Sequence, residues 1–198
     1  SMSPGSADSN SGSSGSVNPS GRFTTISPAS RSQAVRSLNP SCKNRLILIT
    51  AHRRENLGEP MHQMFRAIRR IVDEHPDVRA VYPIHLNPAV RDIADLELER
   101  CDRIRLIEPL DVLDFHNFMA RSFLVLTDSG GIQEEAPSMG KPVLVMRDTT
   151  ERPEGIAAGT LRLVGTSENV IYDNFKELLE NPGAYDAMAH ASNPYGDG

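Results

Sequence analysis

The sequence has few of the features that mark several large classes of protein. Its 198 residues include two cysteines, Cys42 and Cys101, which stand far apart without CxxC or Cys/His spacing. Neither a disulfide framework nor a structural zinc site is therefore predicted, and we expect both thiols to be reduced. The apolar runs are strand-sized, well short of the roughly 20 residues of a membrane helix, and no apolar segment follows the N-terminus. We expect a cytoplasmic protein with no metal and no cofactor.

The chain has no excess of positive charge. The chain has 21 Lys and Arg against 26 Asp and Glu, which gives a formal net charge of -5, and no run is rich in Lys or Arg. No stretch of the sequence is therefore suited to following a phosphate backbone, and nucleic acid is not a predicted partner. The remaining composition, 38% hydrophobic and 24% charged, is ordinary for a soluble globular protein.

The chain divides into two parts of different composition. Residues 1–41 are dominated by Ser, Gly, Pro and Asn, which bury too little apolar surface to offset the entropy of ordering. We predict that they form a disordered tail. Residues 42–198 carry apolar runs and helical patterns, and they are predicted to form one domain.

Within 42–198, strand-like and helical segments alternate. Continuously apolar strands that alternate with helices predict a doubly wound parallel sheet covered on both faces, an α/β Rossmann-like fold. In such sheets ligands bind beyond the carboxyl ends of the strands. The predicted strands are 45–51, 79–84, 104–107, 123–127, 142–146 and 161–164, and the predicted helices are 59–75, 88–99, 111–121, 130–139 and 168–180.

The segment "TDSGGIQEE" (127–135) reads as a strand end, a turn and a helix start. Ser129 is predicted to be the N-cap, and Gly130 and Gly131 would let a phosphate approach the free N–H groups of the first turn. Glu134 and Glu135 could accept hydrogen bonds from a sugar diol. The segment could equally be a tight turn whose glutamates complement the helix dipole. Neither GxGxxG nor GxxxxGK[ST] occurs, which disfavours a dinucleotide site and a P-loop.

Two other predicted strand ends carry groups suited to an anion. His52 and Arg53 follow the first strand in "TAHRREN", and Thr150 and Arg152 follow another in "RDTTERPE". Each loop alone could be a capped turn with solvated charges. Three such loops at one sheet edge favour a shared ligand site.

These segments together resemble the C-terminal half of the non-hydrolysing UDP-N-acetylglucosamine 2-epimerases. The resemblance covers residues 43–198 and is carried by "TAHRREN" (50–56), "HLNP" (85–88), the long segment 127–154, "GT" (159–160) and "NPYGDG" (193–198). It implies an isomerase with two Rossmann-like domains in the GT-B arrangement, of which this chain is the second, UDP-binding domain.

The resemblance also implies roles for individual residues. His52 would be the catalytic residue that stabilises the departing UDP, and Phe115 would pack against uracil, with Leu110 beside the base in place of a frequent glutamine. Arg53 and His85 match positions that contact a second, activating UDP-N-acetylglucosamine. The implied contacts to the diphosphate are Ser129, Gly130 and Gly131. Glu135 would contact the ribose, and Arg152 would lie close to the sugar-nucleotide.

The reaction implied by the resemblance is elimination of UDP from the sugar followed by re-addition, with the C2 proton delivered to the opposite face. The proton-transfer carboxylates of the family lie in the N-terminal domain, which is the implied partner of this chain beside UDP-N-acetylglucosamine and UDP. We therefore expect an enzyme fragment that binds UDP and is inactive alone. Whole family members are expected to be homodimers.

Other interpretations stay open at this point. The same architecture serves GT-B glycosyltransferases as a donor-binding domain, although the unbroken "DTTERPE" (148–154) favours the epimerase. A nucleotide-sugar-sensing module without catalysis and a structural domain without a ligand are the non-enzymatic alternatives.

Overall fold

Six parallel strands form a single sheet in the computed structural model, which describes residues 44–196. The order β3-β2-β1-β4-β5-β6 reverses direction between β1 and β4, which is the Rossmann-like arrangement predicted above. The predicted tail 1–41, its boundary with the domain and Cys42 lie outside the described residues. The strands are β1 (Arg45–Thr50), β2 (Val78–Pro83), β3 (Ile104–Ile107), β4 (Leu124–Thr127), β5 (Val143–Val145) and β6 (Leu161–Leu163).

Helices connect the strands and cover both faces of the sheet. The five predicted helices are confirmed, with bounds that differ by a few residues at most. The helices are α1 (Glu59–Glu74), α2 (Pro88–Leu98), α3 (Val112–Arg121), α4 (Ile132–Ser138), α5 (Pro153–Ala158), α6 (Glu168–Glu180) and α7 (Pro182–Ala189), with a short 3₁₀ turn at Arg54–Asn56.

Two helices, α5 and α7, were not predicted. The first has only six residues and lies within a loop rich in Gly and charge, where no apolar period can be recognised. The second starts at an Asn-Pro pair: the Asn181 side chain accepts hydrogen bonds from the N–H groups of Gly183 and Ala184 at 3.1 and 3.2 Å. Asn as N-cap followed by Pro is a helix-start signal, so α7 could have been found.

The alternation of side chains along the strands divides the core into two apolar clusters. In β1, Ile47 and Ile49 join a cluster under α1 and α6, whereas Leu46 and Leu48 join the one that contains Phe118 of α3. Both faces of the sheet are therefore buried, as the continuous apolar runs predicted. Cys101 is a free, buried thiol at the edge of the larger cluster.

Tyr82 of β2 connects this core to the end of β1. Its ring is fully buried and tilted against Phe65, with 5.6 Å between the ring centroids. Its hydroxyl donates a hydrogen bond to the carbonyl of Ala51, the residue before His52. Burial raises the pKa of Tyr82 well above the ordinary tyrosine value, with the Asp128 charge as a smaller cause.

Tyr82→Phe is expected to change how stability depends on alkaline pH. The unfolded chain loses the Tyr82 proton above about pH 10 while the folded chain keeps it, so the free energy of unfolding falls as the pH rises, by up to about 1.4 kcal/mol per pH unit from this group. The phenylalanine variant lacks that contribution. Urea unfolding of both proteins from about pH 9 to 11 measures the two slopes. Identical slopes would show that Tyr82 ionises as freely in the folded protein as in the unfolded chain.

Candidate functional site

The site lies where β1 and β4 end side by side, at the point where the strand order reverses. Thr50 and Thr127, the last residues of these strands, are register partners, and their hydroxyl oxygens lie 2.6 Å apart. The N–H of Asp128 donates to the Thr50 carbonyl at 3.1 Å. The two loops that follow therefore leave the sheet together.

Asp128 joins these two loops. Its side chain is completely buried, and Oδ2 accepts the backbone N–H groups of His52 and Arg53, both at 2.9 Å, and the Asn56 amide at 3.4 Å. The Arg53 Nε donates to the Asp128 carbonyl at 3.1 Å. This carboxylate thus sets the path of the loop that carries His52 and Arg53.

The turn after Asp128 differs from the prediction in one detail. Ser129 was predicted to cap α4, but the N-cap is Gly131 and no side chain caps this helix. Residues 130 and 131 form a turn before the helix begins at Ile132, so Ser129 lies two residues before the cap. The Ser129 N–H itself donates to the Thr127 hydroxyl oxygen at 2.9 Å. Ser129 lines the neighbouring cavity.

Space is tight at Gly130 and ordinary at Gly131. Gly131 has φ -62° and ψ -40°, which any residue can adopt. A Cβ at Gly131 would lie 3.6 Å from Glu135 Oε1, and one at Gly130 would lie 3.1 Å from Glu151 Oε2. Glycine at these positions keeps the surface beside the first turn of α4 free of side-chain atoms.

A cavity of about 260 Å³ opens beside this turn. His52 and His85 stack at its edge, with 5.8 Å between the ring centroids and 17° between the ring planes. Apolar side chains with a few polar groups are typical of a small-molecule site. The predicted residues on its wall are His52, His85, Leu110, Phe115 and Ser129, and the others are Thr50, Ala51, Pro83, Ile84, Pro109 and Ile132.

The two glutamates of α4 have different partners. Glu134 forms an ion pair with Arg152, which brings the loop after β5 against this helix. Glu135 Oε2 lies 2.7 Å from Nε2 of His116, on α3. Neither Glu135 nor Arg152 lies on the wall of the cavity.

Gln133 fixes the loop after β5 to the loop after β4. Its fully buried amide donates to the Ser129 carbonyl at 3.2 Å and accepts the Thr150 hydroxyl at 2.5 Å. The Thr150 oxygen also accepts the Arg152 N–H at 3.0 Å. The position of Arg152 therefore depends on Gln133, a buried side chain of α4.

A larger cavity of about 420 Å³ lies between the ends of β5 and β6 and the start of α6, lined in part by Arg147, Asp148 and Ser167. None of the predicted site residues lies on its wall. Arg147 is paired with acidic side chains, since its Nε is 3.3 Å from Glu55 and its Nη1 is 3.5 Å from Glu151. Such a paired cation is a weak attractor for an anion, so the smaller cavity is the better candidate.

Within residues 44–196, no group of three or more His, Cys, Asp or Glu side chains could hold a metal ion. The same part of the chain has no helix that is both long enough and apolar enough to cross a membrane.

Three important residues of the site were missed in the sequence. Asp128 and Gln133 lie in the segment 127–135, but their roles depend on burial, which the amino-acid sequence alone does not show. A signal existed for Asp128, because a carboxylate directly after a buried apolar strand requires partners. His116 had no signal, since its contact with Glu135 joins two separate helices.

The fold and the site together define the class of protein. The sheet is open and parallel, and a ligand-sized cavity lies where its strand order reverses, beside a helix start that contains two glycines. This is a Rossmann-like domain of the class that binds nucleotides. Comparison with known proteins gives the family. The family model described as UDP-N-acetylglucosamine 2-epimerase matches residues 24–198, so the chain belongs to that family. The predicted resemblance is confirmed.

Individual relatives agree with this assignment. The UDP-N-acetylglucosamine 2-epimerase of Bacillus subtilis (strain 168) is 65% identical over 156 residues, which are 79% of this chain and 41% of that protein. Among solved structures, the S. aureus MnaA–UDP co-structure matches with a TM-score of 0.77 and 58% identity over 79% of this chain and 43% of that one. The UDP-GlcNAc 2-epimerase from Neisseria meningitidis bound to UDP-GlcNAc matches with a TM-score of 0.78 and 46% identity, over 84% and 46% of the two chains. The chain thus spans less than half the length of these relatives.

Proposed function

We propose that this chain binds UDP and UDP-N-acetylglucosamine at the cavity beside α4, and that the whole protein interconverts UDP-N-acetylglucosamine and UDP-N-acetylmannosamine. The observation that carries the proposal is the meeting of His52, Phe115 and Ser129 around one cavity at the switch point of the sheet. The relatives described above, one solved with UDP and one with UDP-GlcNAc, support the choice of ligand.

The nucleotide is proposed to lie along the start of α4. Phe115 and Leu110 offer the apolar surface for uracil, and they belong to the cavity wall. The diphosphate would meet the segment 129–131, where two glycines leave the backbone accessible and the N–H groups near the helix start suit an anion. Glu135 would accept hydrogen bonds from the ribose hydroxyls. Arg152 would approach the sugar-nucleotide by giving up part of its ion pair with Glu134.

The chemical contribution of this chain is proposed to be stabilisation of the leaving group. When the C1–O bond to UDP breaks, negative charge builds up on the diphosphate, and His52 with the N–H groups near α4 can stabilise that charge. Loss of the C2 proton to a base completes the elimination and gives a glycal; UDP then adds back to C1 while C2 takes a proton on the opposite face. No Asp or Glu of residues 44–196 lies on the cavity wall, so we propose that these proton transfers use carboxylates of the N-terminal domain.

Arg53 and His85 are proposed to contact a second UDP-N-acetylglucosamine that activates the enzyme. His85 stacks on His52 and lines the same cavity, while Arg53 is held through Asp128. A molecule bound there would lie directly beside the reacting one. Homodimer formation of the whole protein is an expectation of the same family resemblance, and a cytoplasmic location remains the expectation from the lack of long apolar segments.

Incubation of the purified chain with UDP-N-acetylglucosamine in D₂O tests the division of roles. We expect no deuterium at C2 and no UDP-N-acetylmannosamine by proton NMR, although the ligand binds. Product formation by this chain alone would refute the assignment of proton transfer to the N-terminal domain. Transfer of the sugar to an added acceptor would favour the glycosyltransferase alternative.

A further inference from the structure

The two oxygens of the buried Asp128 carboxylate have different environments. Oδ2 accepts all three hydrogen bonds, from the N–H groups of His52 and Arg53 and from Asn56. Oδ1 is buried and has no hydrogen-bond partner among the described residues. It lies 3.4 Å from Nδ1 of His52, a group that could supply a proton.

A buried carboxylate oxygen without a donor is costly unless a neighbour supplies one. Neutral histidine carries its proton on either ring nitrogen, and the partner of one nitrogen determines the state of the other. A proton on Nδ1 would face Oδ1 of Asp128, and it would leave Nε2 for a ligand in the cavity that His52 lines.

We propose that Asp128 is the positioning residue for His52: it holds the ring with the proton on Nδ1, presents Nε2 to the cavity, and balances the charge when Nε2 also takes a proton beside a diphosphate. The part that concerns the diphosphate rests on the proposed function. The part that concerns the tautomer depends on the geometry of Asp128 and His52 alone.

The competing explanation is that Asp128 only joins two loops. That role needs Oδ2 and the three groups that donate to it, and it makes no demand on the His52 ring. A measurement of the ring itself therefore separates the two explanations, whereas stability alone would not.

Asp128→Asn is the informative variant because it keeps the shape of the side chain. Its carbonyl oxygen must occupy the Oδ2 position, where the three donors converge, so its NH₂ group faces Nδ1 of His52. An NH₂ group favours a bare Nδ1, which moves the His52 proton to Nε2. Asn56→Ala is the matched control, since it removes a donor to Oδ2 and leaves Oδ1 unchanged.

The experiment is ¹⁵N NMR of the histidine rings at about pH 8.5, above the usual histidine pKa of about 6.5, with His52→Gln to assign the signal. We expect the Nδ1–H tautomer in the unmodified chain and in Asn56→Ala, and the Nε2–H tautomer in Asp128→Asn. An Nε2–H tautomer in the unmodified chain would overturn the proposal without reference to any variant. An unchanged tautomer in a folded Asp128→Asn would overturn it as well.

Titration with UDP tests the consequence for binding. Asp128→Asn is expected to bind UDP about tenfold more weakly, at the low end of the contribution of a charge-assisted hydrogen bond. Equal affinity for UDP would refute the charge-balancing role. If the unmodified chain itself fails to bind UDP, the proposed function fails while the tautomer result still decides the role of Asp128.

Discussion

Phe65→Ala is expected to lower the free energy of unfolding by about 3–5 kcal/mol, the range for removing a large buried aromatic side chain. Phe65 is completely buried in the larger apolar cluster, so its removal leaves a cavity that the close-packed surroundings fill only in part. It also supports Tyr82, which holds the end of β1 through Ala51. Urea unfolding followed by circular dichroism measures the loss.

Phe115→Ala is the matched control for that variant. Phe115 is only partly buried and lies on the cavity wall. Its removal should cost about 1 kcal/mol of stability, but it should weaken UDP binding about tenfold, as expected for an aromatic ring stacked on a base. A Phe115 variant as unstable as the Phe65 variant, with unchanged UDP affinity, would place Phe115 in the core and remove it from the base site.

The double substitution Ser129→Ala with Glu135→Ala is expected to weaken UDP binding by about a hundredfold or more. Each hydrogen bond from a ribose hydroxyl to a charged carboxylate contributes about 1.5–3 kcal/mol, and Glu135 is proposed to accept such bonds. The melting temperature should hardly change, because Ser129 caps no helix and the Glu135 pair with His116 is largely exposed. Calorimetric titration and thermal unfolding of the same preparation give both quantities.

Ser167→Ala with Glu168→Ala provides a control of the same composition. These residues stand at the start of α6, which also follows a strand of the sheet, and the Ser167 side chain makes no capping hydrogen bond. The control should bind UDP like the unmodified chain. A comparable loss of affinity in both double variants, or a large loss of stability in the first, would favour the interpretation of 127–135 as a structural turn.

Much of the fold was accessible from the sequence because its signals are local. The run 45–50 is apolar at every position but its ends, and the period of Met61, Met64 and Phe65 is that of a helix with one buried face. Alternation of such segments is enough to predict a parallel sheet. The helix α5 was not predicted because six residues are too few to show a helical period of apolar side chains.

The site was predicted in part for the same reason. Two of its residues, His52 and Ser129, directly follow strands, and Phe115 lies in the helix that follows another strand. The parallel sheet therefore brings the three to one edge once its topology is known. The residues that hold them were missed, because Asp128 and Gln133 act through contacts with distant segments. The prediction of Ser129 as N-cap was wrong because a turn at residues 130–131 precedes the helix, which begins two residues later than predicted.

Calorimetric titration of the chain with UDP, and with ADP as the comparison, tests the central proposal most directly. We expect UDP to bind at one site per chain and ADP to bind far more weakly, since Phe115 and Leu110 are proposed to form a uracil site. Absence of UDP binding, or equal binding of ADP, would contradict a uridine site at the carboxyl ends of β1 and β4.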